Sequence, residues 1–431
     1  MLADIVRPVG LTLRLFCRFW PQLIALVLLG IVAGGLFMRL ATHVAMVNHM
    51  AGLALLTLVA LTQLVVTVAM FQILRPALPA IRAAQAAAAG TTNGEGETSG
   101  TARLTNMVTI ALLPFFAYYA AWGFLGDTVR QYSRAALDLA PFGESGNVLD
   151  VLDSRWLLFS VAISWLIRRV AKEMQKRGGA SSAWQIIVVI CETNWIFIGL
   201  YVISRWKDSA MSWVMSRNIG SFFQAAGDGM AAPIGKAMAA APIVTPVEMM
   251  PLGISTTLIN LFFYMLMPVI WLVMTALIYG YNVRDDQELM RIHQRVERFG
   301  ERYKTIPKFL RDFVEHFISG YRSRYLPIAN GVRLTLSSSV LLVVVLIVGY
   351  RLIDWAAAWA WLGATRLIGP HDLDTWQVIA HGVTFLFGSP FQDSSTGILV
   401  EPLRICFLAA ILECAFALPK RASAQAVGKP A

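Results

Sequence analysis

Residues 20–38 read WPQLIALVLLGIVAGGLFM and residues 52–74 read GLALLTLVALTQLVVTVAMFQIL, and neither stretch holds a charged side chain. Each is close to the length of about 20 apolar residues that a helix needs to cross the hydrocarbon of a bilayer. In hydrocarbon no water is present to satisfy backbone N–H and C=O groups, and a helix satisfies them within itself. The two stretches therefore read as a hairpin of crossing helices. No small-residue cleavage site closes the first, so it is expected to stay as an anchor rather than to be removed as a signal.

Six further apolar runs follow, at 106–126, 156–171, 184–205, 256–280, 335–357 and 397–418. The composition agrees with them: of 431 residues, 57% are hydrophobic and only 14% charged. A soluble domain carries about a quarter charged residues, so this polar surface is too small to cover a water-facing globule of such length. Ordinary cytosolic enzymes, disordered chains and nucleic-acid-binding modules are excluded on that ground. The expected fold is all-α: a polytopic transmembrane helix bundle of about eight spans.

Net charge is +10. With both termini placed in the cytoplasm, 25 of the 36 Lys and Arg fall in the inner segments and 9 in the outer loops. Basic residues are retained on the cytoplasmic side, so this bias sets the orientation and favours an even number of spans. Trp20, Trp156, Trp184, Trp206, Trp355, Trp359 and Trp361 lie near the expected span ends, where an amphipathic ring settles at the headgroups. Cys17, Cys191, Cys406 and Cys414 fall in apolar stretches without CxxC spacing, which supports neither a disulfide framework nor a zinc site.

The organisation that follows has seven parts. Residues 1–19 form a basic interfacial lead-in carrying Arg7, Arg14 and Arg18, and 20–74 the first helical hairpin. Residues 75–105 form a flexible cytoplasmic linker, since the stretch AAQAAAAGTTNGEGETSGT at 83–101 cannot bury enough surface to fold. Residues 106–280 supply four spans with outer loops 127–155 and 206–255. Residues 281–334 are cytoplasmic, 335–418 hold the last two spans with outer loop 358–396 and a short helix near 373–387, and 419–431 form a disordered tail. In the 281–334 segment a charged helix is followed by an amphipathic one. Phe309, Phe313 and Phe317 recur every four residues, while Arg311 and Arg322 lie on the other face. Such a stripe suits a lipid surface or the groove of a partner protein.

Ionisable groups inside spans are costly and are candidates for function. Glu192 lies in the fifth span. Arg351 and Asp354 share a face of the seventh, and Glu401 and Arg404 repeat that spacing in the eighth, with Glu413 deeper in the same run. If the last two spans are neighbours, their four charges can pair across and orient a polar or anionic headgroup. Glu192 and Glu413 sit in the inner half, and Glu192 is a candidate proton or cation site.

Catalytic motifs are missing: there is no GxxxxGK[ST], GxGxxG, GxSxG or HExxH. His371, Asp372, Asp374 and His381 match no zinc spacing. No catalytic residue, metal or cofactor is expected, and no nucleic-acid partner; the partners are the lipid bilayer and a cytosolic or membrane protein. The sequence thus points to a multi-pass bacterial inner-membrane protein of transport class, a permease or the membrane subunit of an export or envelope machine. The alternative is a non-catalytic scaffold docking a cytosolic partner through 282–334. A lipid-acting enzyme would want clustered acids, and Asp127, Asp138, Asp150 and Asp153 are scattered.

Overall fold

The computed structural model describes residues 2–83, 100–121, 124–139, 156–176, 184, 186–199, 254–279, 340–389 and 397–427. Among the described residues the chain is helical and holds no strand. The helices are α1 (Leu2–Val47), α2 (His49–Leu74), α3 (Gly100–Ala121), α4 (Phe124–Leu139), α5 (Trp156–Lys176), α6 (Ile186–Gly199), α7 (Ile254–Ile278), α8 (Val340–Ile368), α9 (Leu373–Phe387) and α10 (Val400–Val427). Three of them are long and apolar enough to cross a membrane: Val6–Val47 in α1, His49–Ala77 in α2 with its extension, and Leu341–Ile368 in α8. Shorter apolar helices occur at Ile186–Gly199 and Tyr264–Ile278.

α1 is one continuous helix of 46 residues, about 69 Å long at about 1.5 Å per residue. The basic lead-in at 1–19 is thus not separate from the span, and the helix continues past Met38 to Val47. The helix passes through Pro8 and Pro21, whose missing N–H groups remove single bonds from the ladder. Thr12 Oγ1 donates to the Pro8 carbonyl at 2.7 Å. Only Asn48 interrupts the hairpin. Its backbone is extended, and its side chain accepts the N–H groups of Met50 (3.0 Å) and Ala51 (3.2 Å). Asparagine is among the residues that best satisfy the orphan donors of a helix start in this way.

α1 and α2 pack antiparallel along most of α2, through small residues. A Cβ on Gly30 would lie 2.7 Å from the Val66 side chain, and one on Gly52 would lie 2.6 Å from Ala45 Cβ and 2.9 Å from the Ala41 carbonyl oxygen. Between apolar helices in lipid no water is expelled, so close backbone approach through small residues carries the association. The opposite face of α1 stays bare: Leu29, Val32 and Leu36 are all exposed. α4 closes the Asn48 end of this hairpin, where the fully buried Tyr132 reaches Gly52. The outer loop expected at 127–155 is therefore helical as far as Leu139.

α10 is the central helix. Every residue from Ile405 to Ala415 is buried, against α1, α2, α7 and α8. A helix buried on all sides reads apolar all round, which explains the run ICFLAAILECA with one charge. α10 also runs on through Pro419 to Val427, so residues 419–427, expected in a disordered tail, are helical. Two other boundaries move. α3 begins at Gly100, inside the expected linker, and α8 extends to Ile368, eleven residues beyond the expected end of that span. The Arg75 end is latched by Tyr279, whose hydroxyl donates to the Phe71 carbonyl at 3.0 Å while the two rings meet edge to face at 5.7 Å.

Candidate functional site

The i, i+3 spacing of Arg351 and Asp354 puts both on one face of α8, and an Arg351 Nη1–Asp354 Oδ2 contact of 3.1 Å joins them. α8 and α10 lie side by side. The other oxygen of Asp354 receives Arg404 Nη2 from α10 at 2.6 Å. One carboxylate therefore bridges two guanidiniums, one three residues away on its own helix and one 50 residues away on α10. Such charge-assisted bonds are the stronger class.

Two more helices complete the cluster. From α7, the Tyr264 carbonyl accepts Arg351 Nε at 3.2 Å, Met267 Sδ lies 3.5 Å from Arg351 Nη2, and the Tyr264 ring stacks under the guanidinium. Tyr350 packs its ring against Arg404, with the guanidinium carbon 5.6 Å from the centroid. From α3, Tyr119 is close enough to Glu401 to interact electrostatically, and Glu401 also bears on Arg404. Arg351, Asp354 and Arg404 keep 17–21% of their side-chain surface exposed, and Arg404 Nε has no acceptor among the described residues. A site that is charged, partly open and lined by tyrosines can orient a polar group.

Glu192 and Glu413 are placed differently. Glu192, 3% exposed, takes Arg168 Nε at 3.0 Å and Nη2 at 2.8 Å through one oxygen. One turn before Arg168 and two residues after Glu192, Asn194 Nδ2 donates to Ser164 Oγ at 2.6 Å. α5 and α6 are thus riveted by an ion pair and a hydrogen bond, and Arg168, counted with the solvated cytoplasmic charges, is buried. Glu413 accepts the Ala80 N–H at 2.6 Å and the Ile81 N–H at 3.0 Å. It caps the helical turn after Arg75–Ala77 from another part of the chain, satisfying donors that a helix start leaves open.

Sequence reasoning reached Arg351, Asp354, Glu401 and Arg404 but missed Tyr119, Tyr264, Met267 and Tyr350, which look like any other apolar span residues until the helices are assembled. It also missed Arg168, Ser164 and Asn194. Phe309, Phe313, Phe317, Arg311 and Arg322 lie outside the described residues, as do Asp150 and Asp153. His371 and His381 are exposed, and each directs Nδ1 at a nearby backbone carbonyl, of Gly369 and Gln377 respectively. No group of His, Cys, Asp and Glu among the described residues is arranged to hold a metal ion. The four cysteines form no disulfide. The chain matches no family model, no curated protein and no solved structure.

Proposed function

We propose that this chain is a multi-pass protein of the bacterial inner membrane, of transport class: a permease or the membrane subunit of an export or envelope machine. It crosses the bilayer about eight times with both termini in the cytoplasm. The observation that carries the reading is the Arg351–Asp354–Arg404 bridge. Charges at membrane depth are expensive and persist where they meet a substrate, an ion or one another. Here two helices, α8 and α10, deliver them to a partly open place beside tyrosines of α3, α7 and α8, and one guanidinium nitrogen is left over. The test is a strain whose own copy carries Arg351→Gln or Arg404→Gln. Loss of the phenotype supported by the protein, at normal membrane levels, is expected. Wild-type behaviour at those levels overturns the reading.

A scaffold reading is favoured by one observation, the buried pairings of Arg168 with Glu192 and of Glu413 with Ala80 and Ile81, which fasten helices together. It expects the 282–334 region to hold a cytosolic partner. Deletion of that region would then abolish co-purification, whereas the glutamine variants at Arg351 and Arg404 would leave function unchanged.

A further inference from the structure

α7 carries a proline in its interior, Pro268. A proline has no N–H, and its ring crowds the carbonyl four residues back. In α7 that carbonyl belongs to Tyr264. An unbroken helix would pair it with the N–H of residue 268. On a helix in water, solvent takes over such a group. In lipid the freed carbonyl has to be satisfied from a neighbouring helix, a side chain or an ordered water.

Arg351 of α8 stands in for that N–H. Its Nε donates to the Tyr264 carbonyl oxygen at 3.2 Å, and Nη2 donates to the same oxygen. The guanidinium also lies over the Tyr264 ring, its carbon 3.3 Å from the centroid, and Nη2 is 3.5 Å from Met267 Sδ. Nη1 serves Asp354. A guanidinium carries five donors in a rigid planar fork. One edge of Arg351, Nε with Nη2, therefore takes the backbone of α7, while the remaining nitrogen takes the carboxylate of its own helix.

The proline also divides α7 by burial. After it, Leu272 and every residue from Met274 to Ile278 are buried. Before it, Leu261, Phe262, Tyr264 and Met265 are exposed. One part is anchored in the core, and the other is gripped by Arg351 at Tyr264 and Met267. Sharp helix kinks, of more than about 20°, occur most often at proline. A pivot of about 20° at Pro268 acts on Tyr264 through a lever of about 6 Å and moves it by about 2 Å. That is enough to break both bonds to its carbonyl. The same pivot moves Leu261 by about 4 Å and Ile254 by about 7 Å.

We propose that residues 254–267 of α7 are a lid on the Arg351–Asp354–Arg404 cluster, hinged at Pro268 and latched by Arg351. With the latch made, the Tyr264 ring covers one face of the Arg351 guanidinium. With the latch broken, the lid swings and bares that face, while the anchored part from Leu272 onward stays in place. A hinge needs only a few residues that absorb the change between two rigid parts. The lid rests on the backbone of α7 and stands whether the charges of the cluster meet a substrate or only one another.

The test uses the full chain in liposomes, with spin labels on ketone-bearing residues introduced in place of Leu261 and Leu352, both exposed, so that the native cysteines stay. Electron paramagnetic resonance reads the distance between the labels. A single narrow distribution is expected for the otherwise unchanged chain. Arg351→Met is expected to shift or broaden it by about 4 Å. Pro268→Ala restores the missing N–H, so adding it to Arg351→Met is expected to return the narrow distribution. Asp354→Asn removes the ion pair but leaves the Tyr264 contact, and is expected to stay narrow. An Arg351 that acts only through its ion pair gives the opposite pattern: Arg351→Met and Asp354→Asn broaden alike, and Pro268→Ala restores neither. That pattern, or a distribution unmoved by Arg351→Met, would overturn the proposal. If Arg351→Met accumulates poorly, the membrane level is read instead; Pro268→Ala is expected to restore it, and failure to do so overturns the proposal equally.

Discussion

The Arg168–Glu192 pair can be dissected by a double-mutant cycle. Arg168→Met leaves the Glu192 carboxylate buried without its guanidinium; Glu192→Leu leaves the guanidinium buried without its carboxylate. The side chains retain 10% and 4% of their surface, so neither orphan reaches bulk water without moving the helices apart. Removing one partner of a buried ion pair costs about 3–5 kcal/mol, whereas replacing both by apolar groups of similar volume is close to neutral or stabilising. The neighbouring Ser164–Asn194 bond is untouched in all variants. Each single substitution is therefore expected to lose about 3 kcal/mol or more, and the double substitution to recover most of it. The assay is reversible unfolding of the full chain in bicelles by added SDS, followed by tryptophan fluorescence. Two results would refute the reasoning: single variants as stable as wild type, or a double variant no better than the worse single one. Either would mean that Arg168 does not hold the Glu192 carboxylate, and Glu192 would return as a proton or cation site.

Two further outcomes follow from particular contacts. Gly52→Ala forces a Cβ against Ala45 Cβ, Tyr132 Oη and the Ala41 carbonyl at 2.6–2.9 Å. It should cost about 1–3 kcal/mol, while Gly34→Ala, with nothing within 4 Å, should be neutral or slightly stabilising; equal unfolding midpoints would contradict the hairpin packing. Burial pushes the Tyr132 phenol from its ordinary 10.0 up to about 12. Between those values the folded chain keeps a proton that the unfolded chain has released, so stability falls as pH rises from about 10 through about 12 and is unaffected below. Melting temperatures measured across that window should lose this slope in Tyr132→Phe.

Much of the helix inventory was legible because transfer into hydrocarbon is summed residue by residue along a short stretch. The helices at 52–74, 156–171, 256–280 and 373–387 needed only local composition. Boundaries were less legible. The first apolar stretch was read as ending at Met38, yet a helix emerging from lipid loses nothing by continuing, and α1 runs on to Val47. The end of α8 was misplaced for a related reason. Trp355, Trp359 and Trp361 resemble an interfacial belt, but all three sit mid-helix, with the Trp355 and Trp359 rings 5.8 Å apart.

What the sequence determined by itself is the all-helical, lipid-suited character of the chain, since burial of apolar surface depends on what each residue is. What only the tertiary structure decided is which charge meets which. Asp354 finds Arg404 across 50 residues, Glu192 finds Arg168 across 24, and Glu413 finds Ala80 across 333. A charge at membrane depth must have a partner, but the identity of that partner depends on which helices lie side by side, and no local pattern carries that information.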